Sequence, residues 1–201
     1  MIFLKTRKWA RLHSIVIPYA KTTVLLIDHD DSFTLNVRAW LSEKFDVTVL
    51  HHKNIYNLDV AKKYSLIVLS PGPRSAKDYP HSLKFLRDLP ADQCVLGVCL
   101  GLQLMAIASG CNVHTYSPPL HGKTSKLISD IKSMNGLIVG RYHSMACELS
   151  SDFKILAKSE NLTMIAKHTN KKWLGYQFHP ESFLTENSNV FLNYILTEFN
   201  L

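Results

Sequence analysis

Gly97-Val98-Cys99-Leu100-Gly101 sets a potential nucleophile between two glycines. An apolar run, Cys94-Val95-Leu96, precedes it, and an apolar helical stretch from Leu102 to Ser109, closed by Gly110, follows. Strand, sharp turn and helix in that order make the cysteine version of a nucleophile elbow, suited to attack on an acyl carbon. The glycines keep Cβ atoms out of a crowded turn. The helix N-terminus behind Cys99 favours a negatively charged sulfur, and the Leu100 N–H is available to an oxyanion. The bland alternative is a buried cysteine in a glycine-rich turn, the core-filling role expected of Cys94, Cys111 and Cys147.

A thiol nucleophile needs a base, and Gln177-Phe178-His179-Pro180-Glu181-Ser182 supplies one. Pro180 biases His179 toward extended backbone. In extended chain residues i and i+2 share a face, so Glu181 can orient the imidazole while its other nitrogen meets the thiol. Alone, a histidine in a turn reads as structural; beside a cysteine elbow it completes a triad. Ser70-Pro71-Gly72-Pro73 ends another apolar run, either as a rigid turn or with Gly72 donating a second oxyanion N–H. The Asp28–Asp31 run is no EF-hand, because Phe33 and Ala39 stand where that loop needs Gly and Glu. His51-His52 and the other histidines lack partners at ligand spacing, no CxxC pair is present, and no metal site is expected.

These segments need a scaffold. Val24–Ile27, Val47–Leu50, Leu66–Leu69, Cys94–Leu96 and Leu174–Phe178 read as strands. Helices are predicted over Phe33–Lys44, with Asp31 or Ser32 as N-cap, over Pro80–Asp88 and over Ser188–Phe199. Lys126–Arg141 and Phe153–Tyr176 read as shorter strands and turns. Strands apolar on both faces and separated by helices predict one α/β domain with a mainly parallel open sheet covered by helices. Ligands in such sheets gather beyond the carboxyl ends of the strands, where the three motifs fall.

Composition bounds the partners. Of the net charge of +7, residues 1–22 supply +5 (Lys5, Arg7, Lys8, Arg11 and Lys21, with no acid), leaving +2 for 23–201. That distribution does not suit a nucleic-acid binder. The leader is too charged for a signal peptide and reads as a disordered tail, an upstream start or a docking arm. No apolar run approaches the roughly 18–20 residues that span a bilayer. The chain is therefore expected to be soluble and cytoplasmic, with reduced thiols and no membrane or nucleic-acid partner.

With these residues assembled, the chain resembles the glutamine amidotransferase subunits of anthranilate synthase and aminodeoxychorismate synthase. The matching segments are Leu26 to Thr34, Ser70 to Pro73, Gly97 to Gln103, His121-Gly122-Lys123, Arg141 to Ser144 and Gln177 to Ser182, in family order across about 23–199. The resemblance implies a class I amidotransferase domain, flavodoxin-like, over 23–201. It implies a Cys99–His179–Glu181 triad that hydrolyses L-glutamine, with Gly72, Pro73 and Leu100 at the oxyanion and Gln103, Ser144 and Met145 holding the substrate. Ammonia would pass to a chorismate-binding synthase subunit, with the His121–Lys123 segment toward that partner. No cofactor is implied for this chain, while the partner is expected to need Mg2+. Leu102 stands where the family usually has His, Arg74 where a small residue is common, Met145 where Leu is usual, and 124–140 is shorter than typical. A non-catalytic partner-stabilising module and a stand-alone γ-glutamyl cysteine hydrolase remain alternatives. Val98 and His121-Gly122-Lys123-Thr124-Ser125 lean toward the folate branch over the tryptophan branch.

Overall fold

A computed structural model of the chain describes residues 21–55 and 57–201, with backbone only for 118–121. Residues 1–20, which carry most of the predicted leader, lie outside the described residues.

The first half alternates strand and helix: β1 (Thr23–Asp28), α1 (Thr34–Ser42), β2 (Asp46–His51), β3 (Leu66–Leu69), α2 (Pro80–Asp88), β4 (Cys94–Val98) and α3 (Leu100–Ala108). The second half is β-rich, with β5 (Asn112–Lys126), β6 (Ile128–Ser129), β7 (Ile138–Glu148), β8 (Phe153–Ser159), β9 (Leu162–His168) and β10 (Trp173–Tyr176) before α4 (Asn189–Phe199). One sheet runs β2-β1-β3-β4-β10-β9-β8-β6. Its β2-to-β10 portion is parallel, and β9, β8 and β6 extend it antiparallel. β5 and β7 form a separate antiparallel ribbon.

Every residue of β3, β4 and β10 is buried, as strands covered on both faces require. Alternation along β1 divides the core. Val24 and Leu26 join Val37 and Leu41 of α1 and Phe191, Leu192 and Ile195 of α4. Leu25 and Ile27 join Leu83 and Leu86 of α2 and Leu104 and Met105 of α3. The result is a three-layer α/β/α domain whose parallel strands end on one edge. Among the described residues no helix is long and apolar enough to cross a membrane.

The predicted β1, β3, α2 and α4 agree with the structure to within a residue or so. The N-cap expectation does not: Phe33 occupies that position, and Asp31 instead accepts the Phe33 N–H at 2.8 Å in the turn before the helix. Helix α3 begins at Leu100, directly after the cysteine.

Candidate active site

The ends of β1, β3, β4 and β10 deliver the motifs to one crevice. Cys99 sits between β4 and α3 at φ 52°, ψ −99°, outside the ordinary wells and of the kind that stores about 1–3 kcal/mol at functional turns. Its N–H donates to the Tyr176 carbonyl at 2.7 Å, tying the elbow to β10. Gly97 permits this turn, since a Cβ there would run into the backbone of Gly101 and lie 2.6 Å from the Leu102 nitrogen. Leu100 opens α3, so its N–H has no partner within the helix. A Cβ on Gly72 would collide with the Leu100 side chain, so the two residues expected at the oxyanion are packed against each other.

His179 is 2% exposed and held by its backbone. Its N–H donates to the Gly140 carbonyl at 3.0 Å, and its carbonyl accepts from Thr185 Oγ1 at 2.6 Å. Nδ1 meets Glu181 Oε1 at 2.7 Å, both side chains being almost fully buried. Nε2 is buried without a well-directed hydrogen bond; the group it interacts with is the Cys99 sulfur. Burial alone would lower the His179 pKa, but the Cys99 and Glu181 groups on either side raise it to about 10, favouring imidazolium. Phe33 and Tyr142 pack edge-on against the ring at centroid distances of 5.4 and 5.0 Å. Gln177 Nε2 lies 3.8 Å from the Cys99 sulfur.

A cavity of about 340 Å³ opens on these groups. Gly72, Pro73, Cys99, Gln103, Ser144, Met145 and His179 line it, so seven of the nine predicted site residues share one wall, with Leu100 and Glu181 behind it. Sequence reasoning missed Asp31, Phe33, Ser75, Tyr142 and His143 as lining residues and treated Arg74 only as a departure. All but Arg74 and Ser75 fall within the matched segments, and that membership was the signal that could have found them. A larger cleft of about 590 Å³ lies at the opposite ends of the strands, around Trp173, Lys154 and Lys167, away from the cysteine elbow and with no cysteine in its lining.

His29 supports the cavity from beneath. Its ring nitrogens meet Ser70 Oγ at 3.2 Å and Ser82 Oγ at 3.0 Å, and its carbonyl accepts from Tyr79 Oη at 3.0 Å. Burial, reinforced by the neighbouring His52, depresses its pKa to about 3, so it stands neutral under the Pro71–Gly72 turn.

The expectation that His51 and His52 lack ligand-spaced partners is corrected by Asp30, whose carboxylate, with both Nε2 atoms, lies within 4.8 Å. The separation along the chain concealed it. The arrangement is a carboxylate clamp: His51 and His52 Nε2 approach Asp30 at 2.7 and 3.1 Å. His51 Nδ1 accepts the Lys53 N–H, so its proton sits on Nε2. His52 Nδ1 is buried with no acceptor, so its proton does the same. Metal-bound histidines would need those Nε2 lone pairs free and an acceptor behind Nδ1. The hydrogen bonds from the two histidines hold Asp30 at a pKa of about 2.

Leu102 is fully buried against Gly175, in a cluster with Ala106, Cys111, Phe153 and Ala166. Its departure from the family pattern is therefore a matter of packing rather than of the partner-facing surface. Cys94, Cys99, Cys111 and Cys147 are free thiols. Gly122 and Lys123 lie exposed on β5, and the side chain of His121 lies outside the described residues.

The family model for glutamine amidotransferase class-I matches residues 25–198. Anthranilate synthase component 2 of Methanocaldococcus jannaschii is 36% identical over 83% of this chain and 88% of that protein. Aminodeoxychorismate synthase component 2 of Escherichia coli (strain K12) is 37% identical over 84% of this chain and 96% of that protein. The crystal structure of a glutamine amidotransferase from Thermotoga maritima superposes with a TM-score of 0.66 at 21% identity, covering 81% of this chain and 77% of that one, a likeness of fold. The chain belongs to the class-I glutamine amidotransferase family.

Proposed function

We propose that this chain is the glutaminase component of a two-component, chorismate-using synthase. The observation that carries the reading is His179, lodged between the Cys99 sulfur in the cavity and the Glu181 carboxylate 2.7 Å behind it. Cys99 attacks the carboxamide carbon of glutamine as thiolate, and the tetrahedral oxyanion is taken by the N–H groups of Gly72 and Leu100. His179, as imidazolium, protonates the departing ammonia, then accepts a proton from the water that cleaves the thioester to glutamate. Glu181 keeps the proton on Nδ1 and balances the charge. Gln103, Ser144 and Met145 hold the amino acid, the last two through backbone. Asp31 and Arg74 give the cavity one acidic and one guanidinium group, matching the zwitterionic end of a free amino acid.

Ammonia in water is mostly ammonium, which is not nucleophilic, so release must occur against a partner. Phe183, 90% exposed two residues beyond Glu181, gives that partner an apolar contact beside the triad. The two relatives carry component-2 names from both branches at nearly equal identity, so the product depends on the partner; Val98 and the 121–125 run favour 4-aminobenzoate for folate. No cofactor is required in this chain, and Mg2+ belongs with the chorismate-binding partner.

The test is glutamine hydrolysis in the presence of chorismate and its binding partner, for wild type and Cys99→Ala. Glutamate release that rises with partner and vanishes in the variant supports the reading, and the aromatic product names the branch. Equal background in both proteins sinks it in favour of a non-catalytic module. Full activity without partner favours a stand-alone hydrolase.

A further inference from the structure

On β7 the residues Arg141, His143 and Met145 share one face of an extended strand, and the last two reach the cavity. Arg141 is 1% exposed, and among the described residues no carboxylate lies within ion-pair distance of it. Such a guanidinium is costly to bury unless its N–H groups are used. Two are: Nη1 donates to Ser125 Oγ at 2.8 Å, and Nε donates to His143 Nε2 at 3.1 Å. Arginine has no acceptor, so His143 Nε2 must present a lone pair and the ring proton sits on Nδ1. Nδ1 in turn donates to the Met145 carbonyl at 2.8 Å.

The position of this chain of bonds matters. The β5–β7 ladder loses its register here: His143 pairs with Leu120 and Met145 with Thr115, while 116–119 intervene opposite Ser144 alone. Ser144 at the cavity wall is thus left without a regular pairing partner in the ribbon. We propose that Arg141 and His143 are positioning residues for glutamine: Arg141 sets the tautomer of His143, and His143 clamps the Ser144–Met145 backbone in its substrate-binding conformation. The proposal rests on the glutamine reading above and adds two residues that act through the backbone at the cavity wall.

Cys99 provides the assay, because two alkylating agents read different things. Iodoacetamide reports the thiol alone, whereas a diazoketone analogue of glutamine must first be recognised. His143→Ala and Arg141→Met are expected to slow labelling by the analogue about 10- to 100-fold, the loss of a charge-assisted hydrogen bond, while iodoacetamide labelling stays at the wild-type rate. His143→Asn keeps an N–H within reach of the Met145 carbonyl and should recover most of the rate. Independently of reactivity, 15N spectra of the histidine ring should place the His143 proton on Nδ1 in wild type, and this preference should be lost in Arg141→Met. A wild-type proton on Nε2 would overturn the proposal. So would unchanged analogue labelling in both variants, or a parallel fall with both reagents, which marks a merely structural role. Failure of the glutamine reading looks different: wild-type Cys99 would then gain no protection from glutamine and show no preference for the analogue.

Discussion

Replacing Glu181 by Gln keeps the shape of the side chain and removes its charge. Burial alone would lower the His179 pKa, yet Cys99 and Glu181 raise it from the ordinary 6.5 to about 10, so the pocket favours imidazolium. The Glu181 carboxylate is one of the two groups that raise it against burial, and losing a hydrogen bond to a buried charged group of this kind costs about 1.5–3 kcal/mol. Both members of the His179–Glu181 pair are almost fully buried, so solvent screening takes little away. If imidazolium is the acid that expels ammonia, Glu181→Gln should lower kcat about a hundredfold. The loss is larger wherever the Gln amide turns its NH2 toward Nδ1, because Nε2 then carries the proton and cannot act as base. Glu181 does not line the cavity, so KM for glutamine should hold. The assay is glutamate release with partner over a range of glutamine concentrations. A kcat within about threefold of wild type, or a loss confined to KM, would refute the argument that Glu181 acts through the charge on His179.

Two further outcomes follow from the cavity and its support. His29 has a folded pKa of about 3 against 6.5, so stability is present above pH 6.5 and drains away as the unfolded chain takes up a proton that the native state refuses. Between pH 6.5 and 5 the loss should be about 2 kcal/mol by denaturant melts, flattened in His29→Gln; parallel curves for the two proteins would rule out His29 as the cause. Arg74 is exposed at the cavity, so Arg74→Ser should raise KM for glutamine only about two- to fivefold and leave kcat alone; an unchanged KM would exclude a pairing with the substrate carboxylate.

The parallel half of the fold was legible because its strands are buried on both faces and so read as unbroken apolar runs, as in Leu66–Leu69. The β5–β7 ribbon was not. Pro118, Pro119 and Gly122 punctuate β5 as a turn would, yet the strand absorbs them by breaking register opposite Ser144 and Tyr142. The apolar pattern places the start of α3 two residues late for a related reason: Gly101 reads as a break, whereas it is the spot where the helix meets the Leu69 backbone.

Within the candidate site, legibility followed distance along the chain. Cys99 and Leu100, or His179 and Glu181, are close enough in sequence for local geometry to relate them. The supporting contacts around them join segments far apart: Asp30 with His51 and His52, His29 with Ser70 and Ser82, Arg141 with Ser125. No periodicity encodes those pairs, because each depends on which strands lie side by side and on where the register slips. Arg141 is the sharpest instance. In the sequence it only marks a family motif, but in the fold it is buried, and its geometry dictates the tautomer of a histidine at the cavity wall. The nucleophile and its base could thus be found by type and spacing, whereas the groups that give them a working geometry appear only once the sheet order is known.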